Sequence, residues 1–156
     1  MQKLAMFVVI ILTSAITANI YAQEVKIDFK AESEIIAGDS LLVTLKIYKK
    51  DFNGFAEFKQ RLPEGYLAYE RKSEDANFNF TSGVVCFTWY RMPATNDTLI
   101  VSYKILVSQN LKEQAYQIPA YFSYQAVNRR GEIVIPYTLN VLDKNRRVSN
   151  TDIPKF

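Results

Sequence analysis

Hydrophobic residues recur at every second position through most of this chain. From Glu24 to Glu32, Val25, Ile27, Phe29 and Ala31 fall on one side and charged residues on the other. Leu41, Val43, Leu45 and Ile47 repeat the pattern, as do Ala56, Phe58 and Leu62, then Ala76, Phe78 and Phe80. Leu99, Val101, Tyr103, Ile105 and Val107 make a longer stripe. Two more follow: Ile118, Ala120, Phe122, Tyr124 and Ala126, then Ile133, Ile135, Tyr137, Leu139 and Val141. Period two puts alternate side chains on opposite faces of extended backbone, so each run predicts a half-buried β-strand.

Residues 84–90 differ, because both faces are apolar: Val85, Phe87 and Trp89 on one, Val84, Cys86 and Tyr90 on the other. This predicts a strand inside a sheet. The runs are separated by turn chemistry. Ala37-Gly38-Asp39-Ser40 is a turn and 49–54 a loop, while Leu62-Pro63-Glu64-Gly65 stops a strand, since proline has no N–H for the ladder. Thr81-Ser82-Gly83 reads as a hairpin link and Met92-Pro93 ends the tryptophan strand. Tyr66 to Tyr69 is expected to be a short edge segment and 70–75 a charged loop. A helical turn is allowed at 109–114, and Asn128 to Gly131 reads as a four-residue hairpin loop. Pro136 places its strand at a sheet edge or a bulge. The sum is an all-β antiparallel β-sandwich of about eight or nine strands.

Composition agrees with one domain. The chain has 156 residues, 49% of them hydrophobic and 13% aromatic, which is rich enough for a single sizeable core. Residues 1–22 read as a signal peptide: Lys3, then the short apolar run Phe7 to Leu12, then small residues, with cleavage after Ala22 or alternatively Ala18. Polar residues interrupt that run too early for a membrane helix. The expected layout is 1–22 signal peptide, 23–142 sandwich and 143–156 polar C-terminal tail. The protein is expected to be exported, to the periplasm or the cell surface, with no transmembrane segment after cleavage. Without Lys3, 18 basic residues face 16 acidic ones. That evenly scattered balance argues against nucleic acid.

Histidine is absent and Cys86 is the only cysteine. No Ser-His-Asp or Cys-His arrangement, zinc-ligand spacing or intrachain disulfide is therefore available. Cys86, mid-strand, is expected to be a buried small hydrophobe. Carboxylate pairs remain, Glu32 with Glu34 and Glu70 with Glu74 or Asp75, in charged stretches where solvation explains them. No calcium-binding ligand ladder is present. The reading is a non-enzyme without a cofactor. Aromatics off the inner stripes, namely Tyr48, Phe55, Tyr66, Tyr69, Tyr90, Tyr116 and Tyr121, are the candidate binding surface. They would suit a protein partner of the envelope or surface, or alternatively a glycan. The first strand and 133–141 are candidates for edge pairing. An outer-membrane barrel fits less well, because several strands are too short to span and Ser149 to Phe156 makes no lipid-facing strand.

The order Ala37-Gly-Asp-Ser-Leu41, Leu62-Pro-Glu-Gly-Tyr66, Phe87-Thr-Trp89, Met92-Pro93 and Val101-Ser-Tyr103 resembles the immunoglobulin-like "conserved repeat" domains of bacterial surface proteins. More loosely it resembles cohesin-like sandwiches, and it is similar to small exported proteins of the Bacteroidota. Asp39-Ser40-Leu41 and Asp97-Thr98-Leu99 also resemble the O-glycosylation motif of that group. The likeness covers about residues 24–142 and rests on turn and core positions, so it implies a fold and no active site. Such domains act as spacers, adhesion modules or assembly partners. A single copy without an evident sorting sequence departs from the tandem pattern and tells against a simple stalk.

Overall fold

The computed structural model describes residues 25–126 and 129–144. The expected signal peptide, residues 127–128 of the last hairpin and the tail from 145 onward lie outside the described residues. Strands β1 (Lys26–Lys30), β3 (Ser40–Tyr48), β8 (Thr98–Val107) and β5 (Tyr66–Lys72) form a four-stranded antiparallel sheet in the order β1-β3-β8-β5. Strands β11 (Arg129–Ile135), β10 (Ala120–Ala126), β4 (Ala56–Arg61), β7 (Val84–Trp89) and β6 (Asn77–Thr81) form a five-stranded one, in that order. A third sheet joins β2 (Glu34–Ile36), β12 (Thr138–Leu142) and β9 (Gln114–Gln117), with β2 and β12 parallel.

The twelve strands among the described residues arise from the expected eight or nine by two physical effects. Three-residue β2 is held by β12 from far away in sequence, which alternation cannot register. The runs 114–126 and 129–142 are each bent, at Pro119 and Pro136. Neither proline can donate to a ladder, and between them Ile118 N–H bonds the Tyr137 carbonyl at 2.9 Å. One half of this hairpin joins the five-stranded sheet; the other half leaves it and pairs with β2. Pro136 thus marks a change of sheet, and of the 133–141 run only β11 is an edge strand. β1 also lies at an edge, of the four-stranded sheet. The expected helical turn near 109–114 is a turn entering β9.

Inward side chains of both large sheets make one core. Val43, Leu45, Ile47, Val101, Tyr103 and Ile105 meet Phe58, Val85, Phe87, Trp89 and Phe122, all fully buried. Phe87 bridges the layers, with ring centroids 5.9 Å from Tyr103, 6.2 Å from Trp89 and 6.2 Å from Phe58. The indole N–H of Trp89 donates to the Glu74 carbonyl at 2.9 Å. That bond staples the turn carrying the chain from β5 in one sheet to β6 in the other. β7 is interior as predicted, between β4 and β6.

Among the described residues two polar side chains are buried, Gln60 between the sheets and Lys49 just after β3. Gln60 Nε2 donates to the Ile118 carbonyl at 2.8 Å, and its Oε1 accepts the Tyr103 hydroxyl. One amide therefore ties β4 to the opposite sheet and to the bend at Pro119. Lys49 Nζ donates to the Lys50 carbonyl at 3.2 Å.

The hairpin reading at 81–83 holds, and two other local readings are corrected. Ser82 and Gly83, at φ 52° and 74°, form a two-residue hairpin loop between Thr81 and Val84. Arg129 already pairs with Ala126, so Gly131 lies within β11 and not in a loop; the Tyr124 ring covers it and would collide with any Cβ there. The β5 strand extends to Lys72, leaving 73–75 as the turn.

Candidate interaction surface

The seven aromatics singled out from sequence do not gather. Tyr48 and Tyr69 lie on the outer face of the four-stranded sheet, on non-adjacent strands. Tyr121 is on the outer face of the other sheet, and Phe55 and Tyr90 stand in the connections beside it, Tyr90 being 79% exposed. Tyr116 is half-buried on β9 and meets Tyr66 edge-on at 5.6 Å. Tyr66 is not at the surface: it is only 4% exposed, and burial pushes its hydroxyl well above the ordinary tyrosine range. Tyr66 and Tyr69 are three apart, so a regular strand sends them to opposite faces. Four apolar or aromatic residues in a row at 66–69 hide that phase.

Cys86 also differs from expectation. It is half-exposed on the outer face of the five-stranded sheet, with Sγ 3.4 Å from Thr88 Oγ1 and 3.8 Å from Glu57 Oε2. Of the carboxylate pairs, Glu32 and Glu34 are exposed. Glu74 is ion-paired to Lys72 at 2.5 Å. Among the described residues, no three histidine, cysteine, aspartate or glutamate side chains gather as a cation site would need, and no helix is long and apolar enough to cross a membrane.

What the fold does bring together is a set of aliphatics passed over in favour of the aromatics. Five of the nine large hydrophobic side chains exposed among the described residues lie on the outer face of the four-stranded sheet: Leu42, Tyr48, Leu67, Tyr69 and Ile100. Strand register explains their grouping. Leu42 and Tyr69 both sit opposite Lys104, from either side, while Leu67 sits opposite half-buried Leu106. Leu42 and Leu106 are then diagonal neighbours, within reach of each other's side chains. Leu42 is 51% exposed, Leu67 47% and Tyr69 53%.

Leu67 and Leu106 continue into a recess of about 370 Å³ at the end of the sheet, completed by Gly38, Gly65, Tyr66, Val107, Ser108 and Gln109. Gly38 (φ 93°) and Gly65 (φ 86°) occupy backbone conformations that other residues adopt with strain. Both are tied to the end of β8, Gly38 N–H to the Val107 carbonyl at 3.1 Å and the Gly65 carbonyl to Ser108 N–H at 2.8 Å. The recess is therefore walled by backbone held in place.

The same face is basic. Its outward charges include Lys26, Lys30, Lys46 and Lys104 with Asp28, and Lys72 paired to Glu74; exposed Glu70 and Arg71 lie at the irregularity on its β5 edge. The Lys46 ammonium lies over the Tyr48 ring, 4.9 Å from its centroid. Hydrogen bonding to Tyr48, with the nearby Asp28 charge, keeps its pKa above the ordinary lysine value.

Neither a protein-family model nor a curated protein sequence matches this chain. Solved structures do share its shape. The full-length major pilin SpaD of Corynebacterium diphtheriae superposes with a TM-score of 0.53 at 11% identity over 75% of this chain. The fold is an immunoglobulin-like β-sandwich. This chain corresponds to about a third of that pilin's length, since 34% of it is covered. A non-cellulosomal cohesin from Archaeoglobus fulgidus matches at TM-score 0.45 and 11% identity, over 82% of this chain and 99% of the cohesin. A Porphyromonas gingivalis protein of unknown function matches at 0.45 and 9%, over 77% and 48% of the two chains.

Proposed function

We propose that this protein is an exported, non-enzymatic module of the bacterial cell envelope or surface, of the conserved-repeat kind, that holds another protein against the outer face of its four-stranded sheet. The observation carrying this reading is the concentration of exposed Leu42, Leu67, Tyr69 and Ile100 on one otherwise ordered face, continuous with a recess. Exposed apolar groups collected on one face, rimmed by charge, are the usual signature of a protein contact. The absence of histidine from the whole sequence supports the non-enzymatic part. The likeness in fold to a major pilin accords with a surface location. The carbohydrate-binding alternative needs exposed rings side by side, and here Tyr48, Tyr69, Tyr90 and Tyr121 stand apart.

The test is affinity capture from an envelope extract. The protein should retain a defined partner, and Leu42→Ser with Leu67→Ser should release it, whereas Tyr121→Ser with Val134→Ser on the opposite sheet should not. Retention on polysaccharide that tyrosine substitutions abolish, with no protein captured, would replace this reading by the glycan one.

A further inference from the structure

Resting on that reading of the face, we infer that its partner presents an acidic, extended segment with one projecting apolar side chain, which enters the recess between Gly38 and Gly65. Three observations converge. Leu67 and Leu106 belong both to the exposed cluster and to the recess, so apolar surface runs without a break from the flat sheet into a hollow. Gly38 and Gly65, at φ 93° and 86°, hold two rims of that hollow in backbone conformations that other residues adopt with strain, so its shape is built into the chain. Third, Lys104 and Lys46 follow along the sheet from Leu106: Lys104 two residues back on β8, and Lys46 opposite Ile100 four residues farther. At about 3.3 Å per residue, these charges match acidic side chains pointing the same way as the knob along an extended partner.

The charge also selects among occupants. A second copy docking face to face would bring two faces of net positive charge together, which like-charge repulsion opposes. A polyanionic glycan would use the lysines but leaves the recess and the leucines without a role, and an anionic membrane would use the lysines and the leucines but presents no projecting side chain to the recess.

Short labelled peptides titrated into the purified protein provide the test. One carries glutamates at alternate positions with a single leucine, the second has lysine for every glutamate, and the third keeps the glutamates but lacks the leucine. The first should bind saturably and at least about tenfold tighter than the other two. Lys46→Glu with Lys104→Glu should weaken it about tenfold or more, and raised salt should do the same. Arg61→Glu with Arg130→Glu, the same charge change on the other sheet, should leave it unaltered. Equal binding of the lysine peptide, no binding of the first peptide, or tighter retention of alginate or phosphatidylglycerol vesicles would each overturn the inference. An envelope partner whose capture needs Leu42 and Leu67 but ignores the lysine reversal would sink the inference alone and leave the proposed function standing. Failure of the unaltered protein to capture any partner would sink both.

Discussion

On the outside of the four-stranded sheet, Leu42, Leu67, Tyr69 and Ile100 stand among Lys30, Lys46 and Lys104. On the outside of the five-stranded sheet the central positions hold Glu57, Lys59, Cys86, Thr88 and Asn79. The second face pairs its central polar groups with one another, and its exposed apolar surface is confined to Tyr121 and Val134, opposite each other toward its β11 edge. Lys59 pairs with Glu57 at 2.6 Å, Thr81 Oγ1 donates to Asn79 Oδ1 at 2.7 Å, and Cys86 meets Thr88. Two sheets with almost equivalent inner faces thus diverge on the outside, where the core imposes no requirement. A folded chain does not need five large hydrophobics exposed on one sheet, so the asymmetry points to use and not to stability.

The comparison presupposes that both sheets share one core, and the largest predicted effect tests that. Phe87 on the five-stranded sheet touches Tyr103 on the other, so Phe87→Ala should cost about 3–5 kcal/mol and weaken both layers together. Urea unfolding followed by Trp89 fluorescence and by far-ultraviolet circular dichroism should show one coincident, shifted transition. Separate transitions would mean that the sheets are independent.

A comparable or smaller effect is expected at the polar tie between them. Gln60→Leu removes the partner of the Tyr103 hydroxyl and of the Ile118 carbonyl. Leaving those buried groups unmade should cost about 1–3 kcal/mol for each. Amide exchange should then quicken first around Ile118, where the chain bends between sheets. Uniform exchange would argue that the bend is held by the prolines alone.

Much of this is legible in the alternation of the sequence. Inner stripes such as Leu41 to Ile47 and Leu99 to Val107 report side-chain phase directly, and burial of Phe87, Trp89 and Tyr103 follows from it. The pattern carries no information about which strand pairs with which. The bends at Pro119 and Pro136 preserve phase, because Ile118 and Ala120 stay inward on both sides, and the change of sheet was therefore silent. The surface was harder still. An outward Leu42 or Leu67 is unremarkable alone, and only the register that sets Leu42, Tyr69 and Leu67 around Lys104 and Leu106 makes a site of them.

Alkali offers a way to probe the interior where the four-stranded sheet meets the three-stranded one. Tyr66 and Tyr103 are held above the ordinary tyrosine pKa by burial, and Tyr137 is pushed up to about 12, mainly by burial and then by Glu32. Unfolded tyrosine ionises near 10. Each folded group stays protonated longer than its unfolded counterpart, so its contribution is fully present below about pH 10 and is lost as pH climbs through the folded value. Stability should be flat with respect to these groups at neutral pH and fall from about pH 10 upward. Tyr137→Phe also removes the 2.5 Å bond to the Glu32 carbonyl, and should make the fall less steep. An unchanged alkaline slope would mean that Tyr137 ionises freely in the folded protein.

The smallest change in stability should accompany the largest difference between the two outer faces. Leu42→Ser with Leu67→Ser, and separately Tyr121→Ser with Val134→Ser, replace half-exposed side chains that the core does not need. Each substitution should therefore stay within about 0.5 kcal/mol of the parent in urea. If exposure on the four-stranded sheet serves a partner, the first pair alone loses capture while both variants unfold as the parent does. A first pair that is destabilised by several times that amount would show the leucines to be structural, supporting Tyr69 and Leu106 in place. Equal loss of capture by both pairs would erase the distinction between the faces, because it would put the contact on surface that the two sheets have in common.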